Sequence, residues 1–241
     1  WTRGERDSKP PGAGRPPGGE LGEIGRECMD VEARESGAES EGLPAARRVA
    51  RLVELLLLFG GVPTLMALRV IEVRLWPALF VGGAGCLAVL LLDRSFDRTK
   101  LWNFAGARAV FRGLLPLFGL SVVVLGFAVV VALPERFLQF PRERPGIWLM
   151  VMLLYPLLSV YPQEIIFRAF FFQRYEAALG SRSAVIGASA IAFGYAHIIL
   201  QNWIAVTLSV VGGALFAWTY ERSRSLLAAS IEHALYGCAI F

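Results

Sequence analysis

Four side chains that can hold or move protons lie in the most apolar half of the chain: Glu164, Arg168, His197 and His233, which include both histidines of the sequence. Ionisable groups are costly inside a bilayer, so those found there usually face a protein interior or a water-filled cavity and carry function. A carboxylate and an imidazole that share a water molecule can activate it by general-base catalysis. These residue types therefore predict hydrolytic chemistry.

The spacing of these residues predicts how they meet. Glu164 and Arg168 are four residues apart and share one helical face, where the guanidinium can hold the carboxylate ionised and oriented. A structural ion pair is the alternative. Glu164 and His197 lie 17 and 16 residues from Ser181, in the turn between two predicted antiparallel helices. At about 1.5 Å per residue both reach nearly the same depth, which predicts a shared water; a satisfied core histidine is the alternative for His197.

The second histidine, His233, lies on the last predicted span, about nine residues past the turn at 222–224. Its predicted role is hydrogen-bond donation to a developing oxyanion. A hydrogen bond to a neighbouring helix is the alternative. Tyr236, almost one helical turn later, offers a hydroxyl group on the same face.

Composition predicts the fold that positions these residues. The chain is 55% hydrophobic, its mean hydropathy is +0.53, and apolar runs alternate with short charged stretches, so we expect an all-α, polytopic helical membrane protein. The chain stops at Phe241 without a polar tail, so an eighth transmembrane helix, in a longer chain, is the alternative to seven. The seven predicted spans are Leu52–Leu68, Trp76–Leu92, Gly113–Leu133, Ile147–Tyr161 continuing into Pro162–Leu179, Ser183–Leu200, Trp203–Tyr220 and Leu226–Phe241.

Residues 1–46 contain nine glycines and five prolines among mixed charges. Such a composition buries too little apolar surface to offset chain entropy, so this segment is predicted to be disordered and residues 47–241 to form the transmembrane domain. Twelve lysines and arginines lie on one side of the predicted spans and five on the other, which predicts a cytoplasmic N-terminus. The net charge of +4 is then a feature of topology, and no nucleic-acid partner is expected. The compact layout, without an organelle signal, favours a bacterial inner membrane.

The motifs resemble those of the CPBP family, the CAAX-protease and bacteriocin-processing (Abi) group of intramembrane endopeptidases. That family carries E-E-x-x-x-R, F-x-x-x-H and H-x-x-x-N on separate helices. Residues 163–168 match the first motif except at Gln163, residues 193–197 match the second, and His233 opens the third, with Gly237 in place of Asn. The resemblance covers about residues 150–241, the predicted catalytic region.

The resemblance implies an endopeptidase that cleaves membrane-associated or CAAX-like proteins with glutamate- and histidine-activated water. In the family's glutamate-based account the first Glu of the motif is the base, and the amide of Gln163 cannot accept a proton. One interpretation makes Glu164 the base with His197, while Gln163, His233 and Tyr236 donate hydrogen bonds to the tetrahedral intermediate. The other is a catalytically inactive membrane scaffold or immunity protein.

The same residues allow two mechanisms, one with a zinc ion and one without a metal. Older descriptions of the family call its members metalloproteases, and Glu164, His197 and His233 would supply one oxygen and two nitrogen ligands to a zinc ion with an open position for water. The sequence has no H-E-x-x-H motif, however. The preferred mechanism therefore needs no cofactor, and zinc is the alternative.

Other classes of membrane protein fit less well. Residues 187–190 (Gly-Ala-Ser-Ala) only partly match the G-x-S-G motif of a rhomboid-type serine protease, and they are predicted, like residues 212–214, to be a helix-packing face. Asp93 and Asp97 fall in one charged loop, which excludes an aspartyl protease with acids on two spans. A transporter would show broken helices in two matching halves, and no second half is evident.

Overall fold

The structure, a computed structural model, describes residues 43–71 and 74–241, and these ranges contain seven apolar helices at the seven predicted places. Six of them, α1–α6, are long and apolar enough to cross a membrane, whereas α7 has 15 residues. The prediction of an all-α polytopic membrane protein is confirmed. Residues 1–42 of the segment predicted to be disordered lie outside the described residues. Helix α1 begins at Ala45. The helices are α1 Ala45–Ala67, α2 Leu75–Leu92, α3 Phe104–Ala132, α4 Pro145–Leu179, α5 Arg182–Leu200, α6 Trp203–Ser223 and α7 Leu226–Ile240.

Capping residues explain where the last four helices end and begin. Gly180 ends α4 in the left-handed conformation with φ of 78°, which glycine adopts without steric cost. The side chains of Ser181, Asn202 and Ser225 accept hydrogen bonds from the first backbone N–H groups of α5, α6 and α7. These local signals divide residues 145–240 into four helices joined by tight turns.

The helix α4 runs for 35 residues, about 50 Å at the rise of an α-helix. The predicted continuation across Pro162 is therefore confirmed. Two wider π-helical turns, Pro156–Val160 and Ile165–Phe170, interrupt its regular hydrogen bonding on either side of Glu164. Such turns rotate the side chains that follow them and are frequent at functional sites.

The best-packed part of the molecule lies between α4, α5, α6 and α7. Gly213 of α6 contacts α5 so closely that a Cβ atom there would lie 3.2 Å from the Cα atom of Ala190, which agrees with the predicted packing of small residues. On the outside, large apolar side chains such as Leu92 and Phe127 are exposed. An apolar outer surface is what lipid chains require of a membrane protein.

A cluster of charged side chains joins α1 to the C-terminal part of α4. We name it the Glu54 cluster: Glu54, Arg174, Tyr175 and Arg51. Arg174 donates from Nε and Nη2 to the two carboxylate oxygens of Glu54 at 2.8 and 2.9 Å, and the hydroxyl of Tyr175 donates to Oε1 at 3.1 Å. Arg51 adds a contact of 3.4 Å. The acid that the sequence places in the first span is thus fully paired.

Candidate active site

Three ionisable side chains meet inside the helical region, and we name them the Glu164 cluster: Glu164, Arg168 and His233. The Oε1 atom of Glu164 lies 2.9 Å from Nδ1 of His233, and Oε2 lies 3.2 Å from Nε of Arg168. Glu164 and Arg168 are completely buried and His233 is 5% exposed. The i,i+4 pair predicted on α4 is present, and α7 brings the histidine to it.

Arg168 is fixed from several directions. Its Nη1 atom donates to the carbonyl oxygen of Phe167 and to the hydroxyl of Ser189, both at 3.1 Å. The guanidinium carbon lies 5.0 Å from the ring centre of Phe193 and 5.8 Å from that of Phe216, distances at which a cation is attracted to an aromatic face. Arg168 is therefore held as a cation beside Glu164.

His197 contributes a second imidazole close by. Its Nδ1 atom is 2.8 Å from the carbonyl oxygen of Phe193. The ring of Phe193 lies 4.8 Å from the His197 ring and 5.2 Å from the His233 ring, so both imidazoles contact one phenyl group. The sequence predicted a water molecule shared between Glu164 and His197, and this stays a prediction. Among the described side chains, Glu164 is hydrogen-bonded directly to His233.

The remaining predicted residues, Gln163 and Tyr236, lie around this cluster. The amide nitrogen of Gln163 donates to the carbonyl oxygen and the hydroxyl of Ser159, at 3.0 and 2.8 Å, one turn earlier on α4. The Tyr236 ring packs edge-on against Phe118 and 6.0 Å from Phe216. The Tyr236 hydroxyl is buried and, over the described ranges, has no hydrogen-bond partner. Gln163 is thus engaged by its own helix, whereas Tyr236 retains a free donor.

Three residues at the site were not predicted from the sequence. The Tyr155 hydroxyl lies 3.5 Å from Nε2 of His233, and the Phe216 ring stacks on the His233 ring at 4.6 Å and 14°. Glu232 is 3% exposed. Tyr155 and Phe216 look like ordinary span residues in the sequence, and only the acid next to His233 was a visible signal.

Unpaired polar atoms concentrate here. In the described part of the chain, Glu164 Oε2, Arg168 Nη2 and Glu232 Oε2 are buried without a hydrogen-bond partner, since the contact of Oε2 with Arg168 Nε is close but poorly aligned. A buried polar atom without a partner costs roughly 1–3 kcal/mol, so most proteins avoid it. Several such atoms in one place mark a buried polar site with unused hydrogen-bonding capacity.

The zinc alternative requires a set of ligands that the side chains do not form. Within residues 43–71 and 74–241 no group of three His, Cys, Asp or Glu side chains is arranged to hold a metal ion. Glu164, the one oxygen donor of the proposed set, is engaged by His233 and Arg168. The donor set does not fit a zinc ion, and we derive no step through a metal.

The competing protease classes also lack their catalytic groups. Ser189 is completely buried and donates its hydroxyl hydrogen to the carbonyl oxygen of Phe167 at 2.7 Å, so it is not poised as a nucleophile. Asp93 and Asp97 lie outside the apolar spans. Hydrogen bonds from Ser95 and Thr99 lower the pKa values of Asp93 and Asp97, respectively, as expected of capping carboxylates.

Comparison with known proteins gives a family for the second half of the chain. Residues 145–239 match the model of the type II CAAX prenyl endopeptidase Rce1-like family. No curated protein and no solved structure matched the chain. The matched region covers α4, α5, α6 and nearly all of α7, the helices that carry Glu164, Arg168, His197 and His233. This match confirms the resemblance drawn from the motifs: residues 145–239 are similar to a family of CAAX-type intramembrane proteases.

Proposed function

We propose that this protein is an intramembrane endopeptidase that hydrolyses a peptide bond of a membrane-associated substrate through Glu164, His233 and His197. The observation that supports this proposal best is the 2.9 Å contact between the Glu164 carboxylate and the His233 imidazole in the buried interior of the helices. A carboxylate that accepts a hydrogen bond from one nitrogen of a histidine orients the ring and stabilises the imidazolium that forms when the other nitrogen takes a proton.

The hydrogen-bond partners define which nitrogen of each ring is basic. The carbonyl oxygen of Phe193 can only accept, so Nδ1 of His197 carries the hydrogen and Nε2 has the lone pair. In the proposed resting state Glu164 accepts the hydrogen bond from Nδ1 of His233, which leaves the lone pair of that ring on Nε2. Both imidazoles therefore offer a basic Nε2 atom, and a water molecule between them would donate one hydrogen to each.

The proposed reaction uses these two acceptors. Nε2 of His233 takes a proton from the water, whose oxygen attacks the carbonyl carbon of the substrate and forms a tetrahedral oxyanion. The hydroxyl of Tyr236 donates to this oxyanion, and Gln163 adds a second donor when its amide leaves Ser159. The imidazolium then returns the proton to the amide nitrogen as the C–N bond breaks, giving a carboxylic acid and an amine.

The roles of Glu164 and His233 in this scheme differ from those predicted by sequence. Glu164 was expected to be the base with His197. The structure supports a scheme in which His233 is the base, because both carboxylate oxygens of Glu164 face other groups. Glu164 then orients His233 and stabilises its imidazolium form, and His197 aligns the water.

We further propose that the substrate is a CAAX-like protein tail that reaches the pocket from the membrane, and that the protein lies in a bacterial inner membrane with its N-terminus in the cytoplasm. The family of residues 145–239 supports the class of substrate. The excess of basic residues on one side of the spans supports the orientation.

A cleavage assay in proteoliposomes tests the proposal. The substrate is a reporter peptide with a C-terminal CAAX-like tail, presented with a farnesyl group, with an unrelated acyl anchor or without a lipid. We expect the wild type to cleave the lipid-anchored reporter, His233→Ala to lose about 10³-fold or more in kcat, and His197→Ala to lose at least about 10²-fold.

A matched variant outside the site controls for folding in this assay. Glu54→Gln removes the carboxylate of the Glu54 cluster, which lies in the same helical bundle. This variant should keep kcat within about threefold of the wild type. Full activity of His233→Ala, or equal loss in Glu54→Gln, would contradict the assigned site. Cleavage of the acyl-anchored but not the farnesylated reporter would retain the protease and reject the prenylated substrate.

A further inference from the structure

Gly237 stands where the third motif of the family has an asparagine, and the structure shows what fills that space. A Cβ atom built on Gly237 would lie 2.5 Å from Cε1 and 2.7 Å from Cζ of Tyr155, and also against the Tyr155 hydroxyl oxygen. Real Cβ atoms essentially never come so close to other heavy atoms. The phenol ring of α4 thus occupies the volume in which any side chain of residue 237 would begin.

The same ring places its hydroxyl group on the catalytic histidine. The Tyr155 oxygen lies 3.5 Å from Nε2 of His233, the nitrogen opposite to the one that contacts Glu164. The ring centres of Tyr155 and His233 are 6.4 Å apart in an edge-on arrangement, and those of Tyr155 and Phe241 are 5.2 Å apart, also edge-on. The ring therefore lies between the end of α7 and His233.

We propose that Tyr155 and Gly237 act as an exchanged pair: Tyr155, reaching from α4 into the space that Gly237 leaves open, is the positioning residue that holds His233 from its Nε2 side. This inference rests on the proposed function and adds a residue to it. With Nδ1–H of His233 donated to Glu164, the lone pair on Nε2 accepts the O–H of Tyr155, so the ring is fixed at both nitrogens before substrate binds. When water occupies Nε2, rotation about the C–O bond turns the O–H hydrogen of Tyr155 away from Nε2 and toward the developing oxyanion, while the phenol oxygen keeps its place.

The exchange predicts a pattern that a merely space-filling tyrosine would not give. Tyr155→Phe keeps the ring and removes only the hydroxyl, so the melting temperature should fall by no more than about 1–6 °C, the shift that one hydrogen bond gives in a chain of this size. One lost hydrogen bond of roughly 0.5–1.5 kcal/mol should lower kcat by about three- to tenfold, with KM unchanged. A kcat equal to that of the wild type would show that the hydroxyl does not position His233.

Reciprocal variants test the shared space. Gly237→Asn should lower the melting temperature and the activity, because its side chain meets the Tyr155 ring. Tyr155→Ala removes the ring and leaves the space empty. The double variant Tyr155→Ala/Gly237→Asn should be more stable than Gly237→Asn and more active than either single variant, since the asparagine then has room beside His233. Wild-type stability of Gly237→Asn, or additive losses in the double variant, would overturn the proposal.

A readout that needs no substrate separates this inference from the proposed function. The chain has only two histidines, so protein with ¹⁵N-labelled histidine in nanodiscs shows two imidazoles, and His197→Asn assigns them. We expect Tyr155→Phe to shift the Nε2 resonance of His233 and to leave that of His197 in place. If the wild type cleaves no reporter, the proposed function fails, while an unshifted Nε2 resonance would reject the role of Tyr155 independently.

Discussion

The Glu54 cluster and the Glu164 cluster are built from the same parts, an arginine and a glutamate on α4 and its neighbours, yet they are paired very differently. Both oxygens of Glu54 accept well-aligned hydrogen bonds from Arg174 at 2.8 and 2.9 Å, and the two side chains are 28% and 34% exposed. Glu164 and Arg168 are fully buried, and their contact of 3.2 Å is poorly aligned and leaves polar atoms unpaired.

This difference distinguishes a structural ion pair, the Glu54 cluster, from a candidate reaction site, the Glu164 cluster. An exposed, well-bonded pair contributes little net energy and has no unused hydrogen-bonding capacity. A buried pair with unused hydrogen-bonding capacity is kept at an energetic cost. The second imidazole of the site, that of His197, lies beside this pair. The Glu164 cluster therefore keeps unpaired donors and acceptors, which the proposed water and tetrahedral intermediate would use.

The largest effect is expected from removing the buried cation. Arg168→Met leaves the Glu164 carboxylate without its counter-charge in an apolar interior, and this should lower the free energy of unfolding by about 3–5 kcal/mol and abolish cleavage. Thermal unfolding in nanodiscs measures the loss. The double variant Glu164→Gln/Arg168→Met should recover much of the stability but no activity. Equal stability of the single and double variants would show that the charge of Glu164 is not balanced by Arg168.

A smaller effect on catalysis is expected at Gln163. Its amide nitrogen is bonded to Ser159 in the resting protein, so Gln163→Ala should lower kcat by about tenfold, one hydrogen bond at the transition state. The proteoliposome assay measures this change at saturating substrate. Complete loss in Gln163→Ala combined with an active Glu164→Ala would invert the roles of these neighbours.

Much of this site was predictable from the sequence, for physical reasons. The four-residue spacing of Glu164 and Arg168 dictates a shared helical face, and the residue count around Ser181 predicts a similar depth for His197. The choice of His233 as the partner of Glu164 was not predictable, because it depends on how α7 packs against α4 and on the π-helical turns beside Glu164. The place of Tyr155 depends on the missing side chain of Gly237, 82 positions away in the sequence.

The buried serine of α5 should show a structural effect only. Ser189 links Arg168 Nη1 to the carbonyl oxygen of Phe167, and Ser189→Ala should cost about 1 kcal/mol of stability. Cleavage should remain within about threefold of the wild type at a temperature below the unfolding transition. Loss of all activity in a folded Ser189→Ala protein would favour a serine mechanism instead.

The smallest effect is expected from the same arginine substitution in the Glu54 cluster. Arg174→Met removes a partly exposed pair and should change the free energy of unfolding by about 0.2–1 kcal/mol, with cleavage unchanged. Comparing Arg174→Met with Arg168→Met in one unfolding experiment tests the contrast directly. Equal losses would mean that burial does not distinguish the two clusters.

Glu164 is proposed to orient His233 and to stabilise its imidazolium form. The most direct test compares kcat for Glu164→Gln and Glu54→Gln in the proteoliposome assay, each with a confirmed folded fraction. The glutamine keeps the shape of the side chain but cannot stabilise an imidazolium, so Glu164→Gln should lower kcat by about 10³- to 10⁴-fold, while Glu54→Gln stays within about threefold. A folded Glu164→Gln protein with kcat within tenfold of the wild type would contradict the account.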